Sequence, residues 1–238
     1  MPRIASAGDL QSLSTRLAGE RDDGRIVLTM CGGTGCQASR CQDVIDRVQD
    51  TLKVNGLGEK VRTRITGCQG FCEQGPIMIV GPEKIFYCRV KPDDVGEILE
   101  KTVENGKAVE RLLYIDPATG RTVRTEDEIP FYTAQTPTLL YQNKRLDPRS
   151  IEDSISIGGY SALAKVLGSM EPADVIREVE ISGLRGRGGG GFPTGEKWAA
   201  CRAAHGGEKY VICNADEGDP GAFMDRCLLE GNPHEVLE

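Results

Sequence analysis

Two segments decide the fold: residues 26–36, Ile-Val-Leu-Thr-Met-Cys-Gly-Gly-Thr-Gly-Cys, and residues 61–72, Val-Arg-Thr-Arg-Ile-Thr-Gly-Cys-Gln-Gly-Phe-Cys. Each begins as a run typical of a β-strand and ends in a glycine-containing loop with two cysteines. The first loop has the spacing C-x4-C and the second has the spacing C-x3-C, at Cys31, Cys36, Cys68 and Cys72. If the two strands are neighbours, the loops converge and present four thiolates to one point.

Four converging thiolates favour a soft metal, held either as an iron–sulfur cluster or as zinc. The glycines keep both loops thin and leave amide N–H groups to face the sulfurs, which tunes a reduction potential. Zinc sites allow both spacings, although C-x2-C is commoner in them. The cysteine pattern alone therefore leaves a cluster, zinc and thiol chemistry open.

The hydrophobic periodicity around these loops predicts a small α/β layer arrangement in the order α-β-α-β-β-β-α. The predicted helices cover residues 9–17, 43–52 and 92–104, and the predicted strands cover residues 25–30, 61–66, 77–80 and 84–88. Cys41 and Cys88 fall outside the two loops, and we expect them to be small buried apolar residues.

The composition excludes several classes of protein. The 238 residues include 39% hydrophobic and 27% charged side chains, as in ordinary globular proteins, and the net charge is −7. That charge argues against a nucleic-acid partner, and no apolar run is long enough for membrane insertion. Nine cysteines without a secretory signal fit a disulfide framework poorly, so we expect a cytoplasmic protein.

Cysteines and glycines cluster apart, which predicts domains at residues 1–105 and 171–238 joined by a connector at 106–170. The connector contains a strand pattern near residues 112–115 and helical patterns that begin near 147 and 161. It shows no catalytic constellation.

The C-terminal domain opens with a helical pattern from Pro172 to Ile181, and the glycine-rich run 183–195 follows it. The run matches G-x-G-x-x-G, but a helix precedes it where a Rossmann unit needs a strand. Two arginines and a helix that begins near Thr194 still favour a phosphate or nucleotide site, although a flexible linker is the alternative. The pattern of residues 210–214 predicts a short buried strand. Polar residues follow its carboxyl end, where they are well placed to contact a ligand.

Several motifs carry a resemblance to a known family. The cysteine pattern resembles the thioredoxin-like [2Fe–2S] domain of the small flavoprotein-module subunit of respiratory complex I. The same domain is fused to diaphorase subunits of NAD(P)-linked hydrogenases and formate dehydrogenases. Gly-Leu-Arg-Gly-Arg-Gly-Gly-Gly-Gly-Phe-Pro-Thr-Gly-x-Lys-Trp from Gly183 and Cys-Asn-Ala-Asp-Glu-Gly-x-Pro-Gly-x-Phe-x-Asp-Arg from Cys213 resemble the NADH-binding flavoprotein subunit of that family.

The resemblance implies the site residues. The metal ligands would be Cys31, Cys36, Cys68 and Cys72. FMN contacts would fall on Gly186, Arg187, Gly188, Lys197, Asn214, Asp216 and Glu217. Phe192 would stack on the nicotinamide side, near Glu217. The three remaining cysteines match no ligand spacing, so we expect structural roles for Cys201, Cys213 and Cys227. No residue is expected to act as a general acid or base.

The implied function is electron transfer between NAD(H) or NADP(H), FMN and iron–sulfur clusters. The implied partners are other subunits of a hydrogenase, a formate dehydrogenase or a complex I-like assembly. The family's flavin domain is longer than the segment after Gly183, so we expect a C-terminally truncated chain, with any [4Fe–4S] cluster in the missing part. Two alternatives remain: a [2Fe–2S] relay module without turnover, and a thioredoxin-like thiol oxidoreductase.

Overall fold

The computed structural model describes residues 3–238, and a four-stranded sheet lies at its centre. The strands are β1 (Ile26–Cys31), β2 (Val61–Thr66), β3 (Met78–Val80) and β4 (Ile85–Tyr87). Their order in the sheet is β2-β1-β3-β4, with β1 and β2 parallel and the other pairs antiparallel. The predicted strands of the first domain are confirmed, and the two strands that precede the cysteine loops are direct neighbours.

Four helices accompany the sheet, three of them where the apolar periodicity predicts a helix. They are α1 (Ala7–Arg21), α2 (Thr34–Ala38), α3 (Cys41–Val54) and α4 (Asp94–Ile98), which continues as a π-helix over Leu99–Glu104. The apolar stripe of α3 packs into the main core with Leu28 and Met30 of β1. Only the short helix α2 was not predicted, because its five residues are too few to show a helical period.

The main core extends beyond residue 105. A hairpin of β5 (Tyr114–Ile115) and β6 (Thr122–Val123) adds buried side chains to it, and Tyr87 bridges to Leu113. The buried Tyr87 hydroxyl accepts a 3.0 Å hydrogen bond from the Val109 amide. The first part of the predicted connector therefore packs on the first domain, and the boundary at residue 105 stays a prediction.

The remaining helices follow along the chain. They are α5 (Pro130–Thr133), α6 (Ile151–Ser156), α7 (Ser161–Ser169), α8 (Pro172–Ser182), α9 (Thr194–Ala203), α10 (Met224–Gly231) and α11 (Pro233–Leu237). A second small core joins α1 to α6 and α7 through Leu10, Leu13 and Ile155. The helix predicted to begin near residue 147 begins instead at Ile151, whereas the helical patterns near 161, 172 and 194 are confirmed.

A half-buried ion network fixes α6 to the first domain. Asp153 of α6 lies 2.7 Å from the Arg21 guanidinium of α1 and 3.7 Å from that of Arg64 on β2. The other face of the carboxylate accepts a 2.7 Å hydrogen bond from the Asp147 amide. One carboxylate thus holds a helix, a strand and a loop together.

The predicted strand at residues 210–214 is wrong. The segment has no regular structure, and the side chains of Tyr210, Val211 and Ile212 are 75%, 97% and 84% exposed. Within residues 3–238 no strand lies beside it, and a lone strand leaves its N–H and C=O groups without ladder partners. The local sequence favours a strand, but the pairing that stabilises one is not present.

No helix among residues 3–238 combines the length and the apolar character that crossing a lipid bilayer requires.

Cys41 and Cys88 are buried, with 3% and 7% of their surfaces exposed, as expected for small apolar residues. Burial raises the pKa of the Cys88 thiol to about 12 from an ordinary value of 9.0. Because the pKa is higher in the folded protein than in the unfolded chain, the folded protein binds this proton more tightly. The resulting contribution to the free energy of unfolding is fully present below pH 9 and is lost as the pH rises towards 12.

We therefore expect the free energy of unfolding to fall less steeply above pH 9 in Cys88→Ala than in the unsubstituted chain. The two slopes should differ by up to about 1.4 kcal/mol per pH unit, the value for one proton. Urea denaturation followed by circular dichroism at pH 8.0, 9.5 and 10.5 measures both slopes. Equal slopes would show that Cys88 titrates normally in the folded protein.

Candidate functional site

The two cysteine loops leave the same edge of the sheet. Because β1 and β2 are parallel, their carboxyl ends meet, and Cys31 lies opposite Thr66 in the register. The Gly32 amide extends the pairing with a 2.8 Å hydrogen bond to the Thr66 carbonyl. The loop that ends at Cys36 therefore lies against the loop that carries Cys68 and Cys72, as the sequence predicts.

The four thiols form one group that runs from the core to the surface. Cys31 and Cys36 are buried, Cys68 is half-buried and Cys72 is exposed. The Cys31 thiol neighbours those of Cys36 and Cys68, and the sulfurs of Cys68 and Cys72 are 3.9 Å apart. One end of the group is thus shielded from water while the other is accessible.

Three glycines leave the space around these sulfurs open. A Cβ atom on Gly33 would lie 2.7 Å from the Cys68 Cα, closer than real Cβ contacts. A Cβ on Gly35 would lie 2.8 Å from the Cys72 sulfur, and one on Gly75 would lie 2.8 Å from the Cys36 sulfur. The glycines are therefore required by the close approach of the loops rather than by backbone conformation.

The thiols influence one another's pKa values. The interaction with the Cys36 thiol is the main cause that raises the pKa of Cys31 to about 12. The interaction with Cys31 and burial raise the pKa of Cys68, and burial raises that of Cys72. Cys31, Cys68 and Cys72 consequently hold their protons at neutral pH, and a metal that binds their thiolates must release those protons.

Among residues 3–238, no three His, Cys, Asp or Glu side chains are arranged to hold a single metal ion. A [2Fe–2S] cluster has a different requirement, since its two irons share four thiolates in pairs. The donor set of four cysteines and the glycine-lined space around it fit such a cluster. The Gly70 amide also donates to the Cys68 sulfur at 3.3 Å, the type of contact that tunes a cluster's potential.

Aromatic side chains cover the second loop. The Phe71 ring stacks on that of Phe131 at 4.5 Å between centroids, and Tyr132 packs edge-on against Phe71 at 5.8 Å. Phe131 and Tyr132 belong to the connector, where the sequence shows no site. They come from some 60 residues away, so no local spacing could have indicated them.

The helix α10 also packs on the cysteine loops. Gly231 approaches Gly67 so closely that a Cβ on Gly67 would lie 2.4 Å from the Gly231 Cα. The side chain of Asn143, fully buried, donates a 2.9 Å hydrogen bond to the Cys227 carbonyl. Burial and the nearby Cys68 sulfur raise the pKa of the Cys227 thiol to about 11.

Of the three cysteines for which we expect structural roles, only Cys227 is partly buried, while Cys201 and Cys213 are exposed. The position of Cys227 beside Cys68 was not predicted, because no ligand spacing links the two in the sequence.

The glycine-rich loop folds back on itself. The Gly186 amide donates to the Phe192 carbonyl at 2.9 Å, and the Arg185 guanidinium donates to the Gly191 carbonyl at 2.6 Å. Phe192 is 54% exposed, and the exposed Lys197 lies in the first turn of α9. Gly188 and Arg187 lie at the exposed tip of the same loop.

The second set of predicted flavin residues is arranged separately. The Asn214 side chain accepts a hydrogen bond from the Asp216 amide at 3.1 Å. The Glu217 carboxylate accepts hydrogen bonds from the Asp225 and Arg226 amides at 2.7 and 3.0 Å, and so caps α10. No hydrogen bond or ion pair in the part of the chain that the structure describes joins residues 184–198 to residues 213–217.

A sheet edge with four thiols, followed by a glycine-rich loop, is an arrangement suited to a metal cluster and a nucleotide. Comparison with family models agrees: residues 19–103 match the thioredoxin-like [2Fe–2S] ferredoxins, and residues 179–238 match the Nuo51 FMN-binding domain. The chain therefore combines a segment similar to thioredoxin-like [2Fe–2S] ferredoxins with a segment similar to the Nuo51 FMN-binding domain.

Individual relatives are similar over parts of the chain. The NADP-reducing hydrogenase subunit HndC of Solidesulfovibrio fructosivorans is 58% identical over 93 residues, which are 39% of this chain and 19% of that protein. The NAD-reducing hydrogenase HoxS subunit alpha of Cupriavidus necator is 33% identical over 182 residues, 72% of this chain and 26% of that protein. The chain thus spans about a fifth to a quarter of the length of these curated relatives.

Among solved structures, a thioredoxin-like [2Fe–2S] ferredoxin from Aquifex aeolicus is 29% identical, with a TM-score of 0.35. The match covers 37% of this chain and 88% of the ferredoxin.

Proposed function

We propose that the chain is part of an electron-transfer subunit that passes electrons between NAD(H) or NADP(H), FMN and iron–sulfur clusters. The observation that carries the proposal is the convergence of four thiols at the carboxyl ends of two parallel strands. The matches to a [2Fe–2S] family and to an FMN-binding family support it over different parts of the chain.

In this proposal Cys31, Cys36, Cys68 and Cys72 hold a [2Fe–2S] cluster, which supplies one-electron transfer when bound. The buried pair, Cys31 and Cys36, excludes water from one side of the site. Cys72 is exposed and leaves the other side open to a redox partner. The Gly70 amide donates a hydrogen bond to the Cys68 sulfur, and the stacked Phe71 ring makes the surroundings of the second loop less polar.

The flavin part of the proposal concerns the glycine-rich loop and residues 213–217. Arg187 and Lys197 supply positive charge for a phosphate group, and the N-terminus of α9 adds amide donors. Phe192 is free to stack on a flat ring because more than half of its surface is exposed. The other proposed contacts are Gly186, Gly188, Asn214, Asp216 and Glu217.

Use of these contacts requires a rearrangement. Glu217 now caps α10, so its carboxylate must leave the Asp225 and Arg226 amides before it can contact a ligand. Two relatives are named subunits of pyridine-nucleotide-reducing hydrogenases, and we infer comparable partner subunits for this chain. A reducing, cytoplasmic location fits the nine free cysteines.

The ligand assignment is tested by single cysteine substitutions after anaerobic reconstitution with iron and sulfide. We expect Cys68→Ser to lose most of the visible absorption and the reduced-state EPR signal of the cluster. Cys201→Ser is the matched control, since Cys201 is exposed and distant in sequence from both loops, and it should keep both signals. Full retention of the cluster in Cys68→Ser would contradict the assignment.

The second candidate is a relay module that binds a cluster without turnover. Among residues 3–238, no hydrogen bond or ion pair joins the two groups of proposed flavin contacts, which favours a relay module for this stretch of chain. Adding NADH or NADPH to flavin-supplemented protein separates the two functions. Reduction of an artificial acceptor supports the dehydrogenase, whereas a dithionite-reducible cluster that neither nucleotide reduces supports the relay.

A further inference from the structure

A cavity of about 630 Å³ lies away from the cysteine loops, between the outer face of the sheet and the segment 126–145. Its floor contains Val27 and Thr29 of β1 and Ile79 of β3. Val27 and Thr29 alternate along β1 with the buried Leu28 and Met30, so they face the other side of the sheet. Ile79 lies opposite Thr29 in the register and is itself buried. The volume lies in the range of small-molecule sites.

Positive charge dominates the walls. Five lining side chains are cationic and two are acidic, although the whole chain carries a net charge of −7. The acids are already paired: Asp127 with Lys84 at 2.9 Å, and Glu126 with Lys144 at 2.5 Å. The three cations left to the cavity are Arg21, Arg64 and Arg145.

Only one carboxylate, that of Asp153, lies within 4 Å of any of these three guanidinium groups among residues 3–238. Asp153 pairs closely with Arg21 at 2.7 Å, but its distance from Arg64 is 3.7 Å. Arg145 has no carboxylate partner among residues 3–238, and its guanidinium lies over the Tyr141 ring and 3.4 Å from the Gln142 amide oxygen. Burial first, and then the neighbouring guanidinium groups, lower the pKa values of Arg21 and Arg64.

Two half-buried guanidinium groups, those of Arg21 and Arg64, together with the exposed Arg145, have the chemistry of an anion site. Guanidinium groups bind the oxygens of phosphate in pairs of parallel hydrogen bonds, which a lysine cannot match. The walls also include the rings of Tyr132 and Tyr141, and the floor is partly apolar. A ligand with a phosphate group and a flat apolar body would therefore satisfy both parts of the cavity.

We propose that the cavity between the sheet and residues 126–145 binds a small organic phosphate, held by Arg64 and Arg145. All of its residues lie between positions 21 and 145, outside the segment 179–238 that matches the FMN-binding family. The cavity shares no residue with the proposed flavin contacts or the cysteine ligands, although its Tyr132 also packs against Phe71 of the second cysteine loop.

Isothermal titration of the full chain with AMP, at a fixed ionic strength near 0.1 M, tests the proposal. We expect saturable binding at one site, weaker binding of inorganic phosphate, and no binding of adenosine. Arg145→Gln should weaken AMP binding about tenfold or more, because a charge-assisted hydrogen bond is lost. Arg64→Gln should have an effect of the same size.

The matched control is Arg47→Gln, which removes the same charge from the exposed face of α3 and should change the affinity less than twofold. Arg145→Gln leaves no paired carboxylate behind, so its melting temperature should stay close to that of the parent chain. Absence of saturable AMP binding by the parent chain would overturn the proposal. So would an equal loss of affinity in Arg47→Gln, since that would indicate general attraction rather than a site.

Discussion

Replacing Gly33 by alanine is expected to reduce cluster binding by the cysteine loops about tenfold to a hundredfold. The added methyl would lie 2.7 Å from the Cα and 2.8 Å from the Cβ of Cys68, so the two loops must separate. Overpacking of this kind costs about 1–3 kcal/mol, and each 1.4 kcal/mol is a factor of ten. The contact is with backbone, which cannot rotate away as a flexible side chain can.

Iron and sulfide content at equal reconstitution conditions, together with the EPR signal of the reduced sample, measures this effect. Gly19→Ala is the control, since Gly19 lies in α1 with nothing within 4 Å of the added methyl. That substitution should leave cluster content unchanged and stabilise the fold by about 0.5–1 kcal/mol. Normal cluster content in Gly33→Ala would show that the loops do not need their close approach.

Asp153→Ala is expected to lower the free energy of unfolding by about 2–3 kcal/mol. The substitution leaves two half-buried guanidinium groups, of Arg21 and Arg64, without their shared carboxylate, and breaking buried pairs costs about 3–5 kcal/mol. The remaining exposure of 14–20% in these side chains reduces that cost somewhat. The Asp147 amide also loses its acceptor.

Chemical denaturation followed by circular dichroism measures the loss, with Glu152→Ala as the control one position away on α6. Glu152 is exposed, and among residues 3–238 its carboxylate accepts a hydrogen bond from the Ser150 hydroxyl alone, at 3.4 Å, so its loss should cost less than about 0.5 kcal/mol. Asp153→Asn should lie between the two, because it can keep an acceptor for the Asp147 amide. An effect of Asp153→Ala equal to that of Glu152→Ala would mean that the network does not stabilise the fold.

Local sequence patterns were sufficient to predict the strands of the first domain and the meeting of its two cysteine loops. The strands before Cys31 and Cys68 carry their own periodicity, and parallel pairing follows once each is known to end in a cysteine loop. The convergence of the thiols therefore needed only local sequence and one assumption, that the strands are neighbours. The structure confirms that assumption.

Contacts between distant segments were not predictable in the same way. Phe131 stacks on Phe71, and Asn143 bonds to the Cys227 carbonyl across 84 positions, without any spacing that links them. The segment 210–214 shows the opposite failure. Its residues favour a strand, but strand stability comes from pairing, and within residues 3–238 no partner strand is present.

The central claim is that the four loop cysteines hold a two-iron cluster, and metal analysis of the anaerobically reconstituted chain tests it most directly. About two irons and two sulfides per chain, with an EPR signal on reduction that Cys68→Ser lacks, are the expected result. Zinc in place of iron, or no metal after reconstitution with iron and sulfide, would contradict the cluster assignment.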